Sequence, residues 1–158
     1  MKKIILSLVL FVGTLFAAPT MAPQFEVTTI TGEKVSLKGY LETNKPLLVY
    51  FTASWCPTCA KNWPSINSVY KNYKDRVNFI SISIDPTDTN DVLTKLANKH
   101  DLIYPMVAGN PKLMVDFGVR AQATTLIVNS KGEITFNERG HLTLKEYTKI
   151  LDDALENE

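Results

Sequence analysis

Cysteine is nearly absent from this chain: Cys56 and Cys59 are its only two. With no second pair, a Cys₄ zinc site cannot be built, and a zinc reading would need further ligands from elsewhere. Basic runs are absent as well. Formal net charge is +1, and loss of Lys2 and Lys3 with a leader takes it just below zero, so the chain lacks the electrostatic footprint of a nucleic-acid binder. It also lacks internal repeats and low-complexity tracts, which excludes repeat architectures. No apolar run is long enough to span a membrane comfortably. The longest, residues 4–16, follows Lys2-Lys3 and ends in small residues, so residues 1–22 read as a secretory leader. Cleavage is expected after Ala17, because Pro23 disfavours a cut after Ala22. No Cys stands near the cut to take a lipid, so only an uncleaved leader would anchor the chain to the membrane. The domain is therefore expected in the periplasm or otherwise outside the cytoplasm, against an oxidising background.

Residues 23–158 have the length and composition of one globular domain. Residues 25–30 alternate like a strand, Thr31-Gly32-Glu33 turns, and residues 34–37 return, which predicts a hairpin. Residues 46–51 form the continuous apolar run of a buried central strand. The next run, to about residue 74, is predicted helical with a kink at Pro64. Trp63 and Tyr70 are expected in the core. Residues 77–84 predict a second central strand, and Asp88 or Thr89 caps a helix to about His100. A short strand at 104–107 and a short helix from Pro111 follow. Strands at 125–129 and 133–138 flank a Ser130-Lys131-Gly132 turn. Thr143 and Glu146 form a capping box on a last helix with Leu144, Tyr147, Ile150, Leu151 and Leu155 facing inward.

The chemistry concentrates at Trp55-Cys56-Pro57-Thr58-Cys59, where the apolar strand feeds the helix. Unpaired N–H groups in the first turn, with the helix dipole, stabilise an anion at Cys56. Cys59 lies one turn on, on the same side, placed to attack a mixed disulfide formed at Cys56. Cys56 is the expected exposed nucleophile and Cys59 the resolving thiol. The pair alone would also suit a structural disulfide.

The element order and the Cys-x-x-Cys motif, with Pro64 five residues on, resemble the thioredoxin fold. More closely they resemble the extracytoplasmic TlpA/ResA-type thiol-disulfide oxidoreductases, which include the CcmG/DsbE proteins of cytochrome c maturation. Four stretches carry this: Ala22-Pro23-x-Phe25 before the hairpin, the motif with its CcmG-like Pro57-Thr58 pair, Phe117-Gly118-Val119-Arg120 leading to Ala123-Thr124-Thr125, and Gly140-x-Leu142-Thr143. The resemblance implies an α/β fold, a central mixed sheet flanked by helices with an N-terminal hairpin. It implies a monomeric protein-disulfide reductase with no cofactor beyond the Cys56–Cys59 disulfide, acting on a protein thiol or disulfide and fed by a membrane-bound electron donor.

The chain departs from the family at two places. The family has a cis proline where this chain has Ala123 after Gln122, and a cis bond before a non-proline residue costs roughly 2.5–4 kcal/mol. Ala123 is thus expected either to turn trans and reshape the loop or to hold strain. His141 takes a place where the family has a small or uncharged residue, in a turn that lies beside the cysteines in that fold. There it could stabilise the Cys56 thiolate. Alternatively, Cys56, Cys59 and His141 would make a copper or zinc site, the mark of a metallochaperone. Two further positions follow from the resemblance. Tyr50 replaces the buried Asp of many thioredoxins, and Asp85 lies within a residue of an acidic position in ResA-like members, where it would either move the Cys59 proton or simply end a turn. A peroxiredoxin would want Thr at position 53, which is Ala.

Overall fold

The computed structural model describes residues 19–158. The leader and its Ala17 cleavage site lie mostly outside them. Among the described residues no helix is long and apolar enough to cross a membrane.

The chain order is β1 (Glu26–Thr28), β2 (Lys34–Ser36), α1 (Leu37–Leu41), β3 (Leu47–Thr52), α2 (Pro57–Tyr73), β4 (Asn78–Ser83), α3 (Asn90–His100), β5 (Met106–Val107), α4 (Pro111–Asp116), β6 (Thr124–Val128), β7 (Ile134–Arg139) and α5 (Leu144–Glu156). β1 and β2 form the antiparallel hairpin expected from the sequence. The other strands form one mixed sheet in the order β5-β4-β3-β6-β7, parallel on the β4 side of β3 and antiparallel on the β6 side. Every residue of β3 is buried, as its unbroken apolar run requires.

Alternation along β3 divides the interior. Leu48 and Tyr50 join the cluster under α2, α3 and α5, with Trp63, Ile66, Leu93, Tyr147 and Leu151. Leu47, Val49 and Phe51 face the opposite layer of α1, α4 and the hairpin, with Leu37, Leu113, Phe117 and Phe25. Each aliphatic side chain fully buried in these clusters contributes about 1.5–3 kcal/mol.

Three local expectations change. α1 was not anticipated: Ser36 caps it by accepting the Gly39 N–H at 3.0 Å, a serine that read as strand from its alternating neighbours. Thr89 alone caps α3, because the Asp88 carboxylate is spent elsewhere. The capping box on α5 forms, but Leu144 is 46% exposed rather than inward. A helical side chain leans over the turn before its own Cα, and at the first position of α5 that direction runs off the helix end. The paired chain also begins ahead of Pro23: Ile134 N–H donates to Thr20 O and Ala22 N–H to Gly132 O, both at 2.8 Å, around a Met21–Glu133 bridge.

Candidate active site

The loop Ala53-Ser54-Trp55 leaves the C-terminal end of β3 and delivers Cys56 as the N-cap of α2. Pro57 occupies the first turn, where its missing N–H costs nothing. Cys56 takes an extended cap conformation, and its Sγ accepts the Cys59 N–H at 3.0 Å. The two sulfurs are joined in a disulfide, with Cα atoms 5.2 Å apart. Cys56 keeps 3% of its surface and Cys59 none. The exposed nucleophile expected from sequence is thus corrected to a nearly covered one, since both cysteines fall in the buried cluster that holds Ala53, Ala123 and Leu142. Of the two cysteines, only Cys56 is accessible to a partner at all. Around it Trp55 is 58% exposed, Pro57 is exposed, and Thr58 and Gln122 are half-buried.

Two carboxylates hold the loop from the β4 side. Asp85 Oδ2 accepts the Trp55 indole N–H at 2.6 Å, while its Oδ1 accepts the Thr87 N–H and hydroxyl at 2.8 and 2.7 Å. These bonds, the Thr87 pair foremost, hold the Asp85 carboxyl below its ordinary range. It closes the turn onto Thr87, as the turn reading expects, and also tethers Trp55. Asp88 is 2% exposed. Its Oδ2 accepts the Ser54 N–H at 2.8 Å and the Ser83 hydroxyl at 2.5 Å. The turn carrying both acids is pressed against Gly109, where a Cβ would stand 1.8 Å from Asp85 O. Only glycine permits that approach. Nothing in the local sequence distinguishes Asp88 from a solvated turn acid.

Opposite the cysteines, Ala123 is 3% exposed and sits at φ 58, and every described peptide is trans. The left-handed conformation costs an L-residue about 1–2 kcal/mol, less than a non-proline cis bond. The bond is therefore trans, and the strain held is that of the left-handed backbone. Ala123 O accepts the Gly140 N–H at 2.8 Å, which fastens this loop to the Gly140–Leu142 turn.

That turn is bound to α2 by Asn62, a fully buried residue absent from the sequence-based candidates. Its Nδ2 donates to Gly140 O at 2.8 Å and to the Tyr50 hydroxyl at 3.1 Å. Its Oδ1 accepts the Leu142 N–H at 3.0 Å and meets His141 Nδ1 at 2.8 Å. The sequence did carry a signal: Asn62 is a polar residue interrupting the inward stripe of α2 one turn after Cys59. His141 itself is exposed. With the two sulfurs bonded to each other, the Cys56–Cys59–His141 set is not assembled in this oxidised state. Among the described residues no three His, Cys, Asp or Glu side chains converge to hold a metal.

Burial pushes the Tyr50 phenol well above its ordinary range, offset in part by the Asn62 bond. Tyr104 and Tyr147 are raised by burial too, so the layer beneath the disulfide is neutral. Thr52 is buried with its hydroxyl 3.5 Å from Trp63 Nε1, and His100 packs its ring 4.9 Å from that of Trp63. A groove between β7 and α5, lined by Phe136, Leu142, Ile150 and Ala154, does not reach the cysteines.

A five-stranded mixed sheet, helices on both faces and a Cys-x-x-Cys disulfide capping the helix after the central strand define a thioredoxin-fold redox protein. The chain belongs to the AhpC/TSA family, whose pattern it matches over residues 19–137. It is 29% identical over 132 residues to the thioredoxin-like protein YneN of Bacillus subtilis, covering 83% of this chain and 76% of that one. Thiol-disulfide oxidoreductase ResA of Bacillus thuringiensis subsp. konkukian is 29% identical over 133 residues, 81% of this chain and 75% of ResA. Among solved structures, StoA from Bacillus subtilis superposes with TM-score 0.70 at 25% identity, covering 83% of this chain and 98% of StoA. A thioredoxin-family thiol:disulfide interchange protein from Chlorobium tepidum superposes with TM-score 0.78 at 24% identity, over 89% and 99% of the chains.

Proposed function

We propose that this domain is an extracytoplasmic thiol-disulfide oxidoreductase that reduces a disulfide in a specific partner protein. The observation that carries the reading is Cys56 at the N-cap of a 17-residue helix, its Sγ already accepting the Cys59 N–H. In the reduced state that N–H and the helix dipole stabilise the Cys56 thiolate, the attacking form. Cys59, one turn on and within bonding distance, closes the cycle by re-forming the disulfide. Relatives named thiol-disulfide oxidoreductases support the same activity, and the apolar leader supports export. Ala53 in place of threonine argues against a peroxidase. The disulfide itself is the redox group, a membrane-bound donor would re-reduce it, and the domain would act as a monomer. The likeness to ResA and to CcmG/DsbE proteins makes cytochrome c maturation the process to test first, although Thr124 stands where CcmG-like members carry Glu.

Equilibrating the purified domain against glutathione or dithiothreitol series measures the potential of the Cys56–Cys59 pair. A reductase should lie near the thioredoxin value of about −270 mV. A result near the about −120 mV of a strong oxidant would reverse the direction.

A further inference from the structure

We propose that His141 is the general acid of the exchange reaction, protonating the thiolate expelled from the partner disulfide as Cys56 attacks it, and that Asn62 is the residue that positions it. The proposal deepens the dithiol–disulfide reading above and rests on it.

The hydrogen bonds around Asn62 leave one assignment. Gly140 O can only accept, so the atom 2.8 Å from it is the amide nitrogen. The Leu142 N–H can only donate, so the atom 3.0 Å from it is the amide oxygen. The same oxygen lies 2.8 Å from His141 Nδ1, which must therefore carry a hydrogen in either charge state. The ring is held by Nδ1, and Nε2 is the nitrogen left to gain and lose a proton. A fully buried amide with all its groups used is a rigid support, and an exposed imidazole fixed on it loses little of its orientation on meeting a partner.

The position suits the step. Gly140 is bonded to Ala123 O. Ala123 and Leu142 pack in the same buried cluster as Cys56 and Cys59. Asn62 stands one helical turn beyond Cys59. His141 is thus exposed on a turn whose next residue, Leu142, packs in the same cluster as the disulfide. Tyr50, on β3, meets the other end of Asn62 as a neutral phenol. Glu146, in the first turn of α5, has its carboxyl lowered first by the Thr143 hydroxyl and N–H and last by the charge of His141.

The balance closes. The Cys56 thiolate attacks one sulfur of the partner disulfide; a Cys56–partner bond forms, the partner S–S bond breaks, and the leaving thiolate takes the Nε2 proton. Cys59 then attacks Cys56 Sγ, re-forming the enzyme disulfide, and the second partner thiolate leaves with the proton that Cys59 gave up. Two electrons and two protons pass to the partner, and solvent reprotonates His141.

A general acid matters only where the leaving thiolate is basic, because an acidic thiol leaves without help. The reduced domain is therefore oxidised with two probes: hydroxyethyl disulfide, which releases an alkyl thiolate, and dithionitrobenzoate, which releases a stabilised aromatic one. His141→Gln should slow the first by about 10-fold or more and leave the second within about 2-fold. Asn62→Leu, matched in size but unable to bond, should show the same selective loss. Equal slowing with both probes, or none with hydroxyethyl disulfide, overturns the proposal. A wild-type domain oxidised by neither probe would overturn the oxidoreductase reading itself, and this proposal with it.

Discussion

Asp88 is the side chain whose removal should most disturb the active-site loop. It is 2% exposed and accepts two hydrogen bonds, from the Ser54 N–H at 2.8 Å and the Ser83 hydroxyl at 2.5 Å. Asp88→Ala leaves the Ser54 N–H without a partner two residues before Cys56, a cost of about 1–3 kcal/mol. Ser83 loses less, because its oxygen still accepts the Asp85 N–H at 3.1 Å; its donated bond to a charged acceptor is worth about 1.5 kcal/mol. The sum, about 3 kcal/mol, would lower Tm by about 10 °C for a domain of this size. Against it stands the desolvation of a carboxylate that makes no ion pair among the described residues. Asp88→Asn separates the two terms. An amide oxygen at the Oδ2 position can accept from both the Ser54 N–H and the Ser83 hydroxyl, so the expected loss is under about 1 kcal/mol. Urea denaturation of the oxidised variants gives the order, wild type and Asp88→Asn above Asp88→Ala, and hydrogen exchange at the Ser54 amide reports the tether directly. The reasoning fails if Asp88→Ala is as stable as wild type, or if its Ser54 amide exchanges no faster.

Ala123→Pro should not restore the family's geometry for free: proline cannot adopt φ 58, so the variant should lose more than about 1 kcal/mol in denaturant titrations. Ala123→Gly relieves the left-handed strain and should be stable to within about 1 kcal/mol of wild type. Loss in Ala123→Gly larger than in Ala123→Pro would contradict the assigned backbone. Asp85 and Glu146 both have carboxyls held below their ordinary range. Depressed carboxyls stabilise the fold above their unfolded pKa, and that contribution fades as pH falls through the lower folded value. Below about pH 4, the Trp55 indole N–H resonance should therefore move as Asp85 protonates. In Asp85→Asn the same resonance should stay flat across that range, and a parallel acid shift in the variant would assign the change to another group.

What the sequence determined by itself was whatever depends on neighbours along the chain. The unbroken apolar run of β3, the alternation of β4, the Thr143–Glu146 capping box and the Cys-x-x-Cys spacing at a strand-to-helix junction each follow from local periodicity or local hydrogen bonding. The pairing of Cys56 with Cys59 needs only one helical turn. Even the replacement of a proline by Ala123 was visible, with the two conformations open to it. What only the tertiary structure decided were contacts between segments far apart in sequence. Asp88 meets Ser54, Asp85 meets Trp55, and Asn62 meets both Tyr50 and His141 because the parallel β3–β4 pairing and the packing of α2 against α5 bring those segments together. The near-complete covering of Cys56 has the same origin. A polar side chain carries no mark in the sequence of whether its partner will be water or a residue on another element. Burial makes that choice, and burial is a property of the assembled layers.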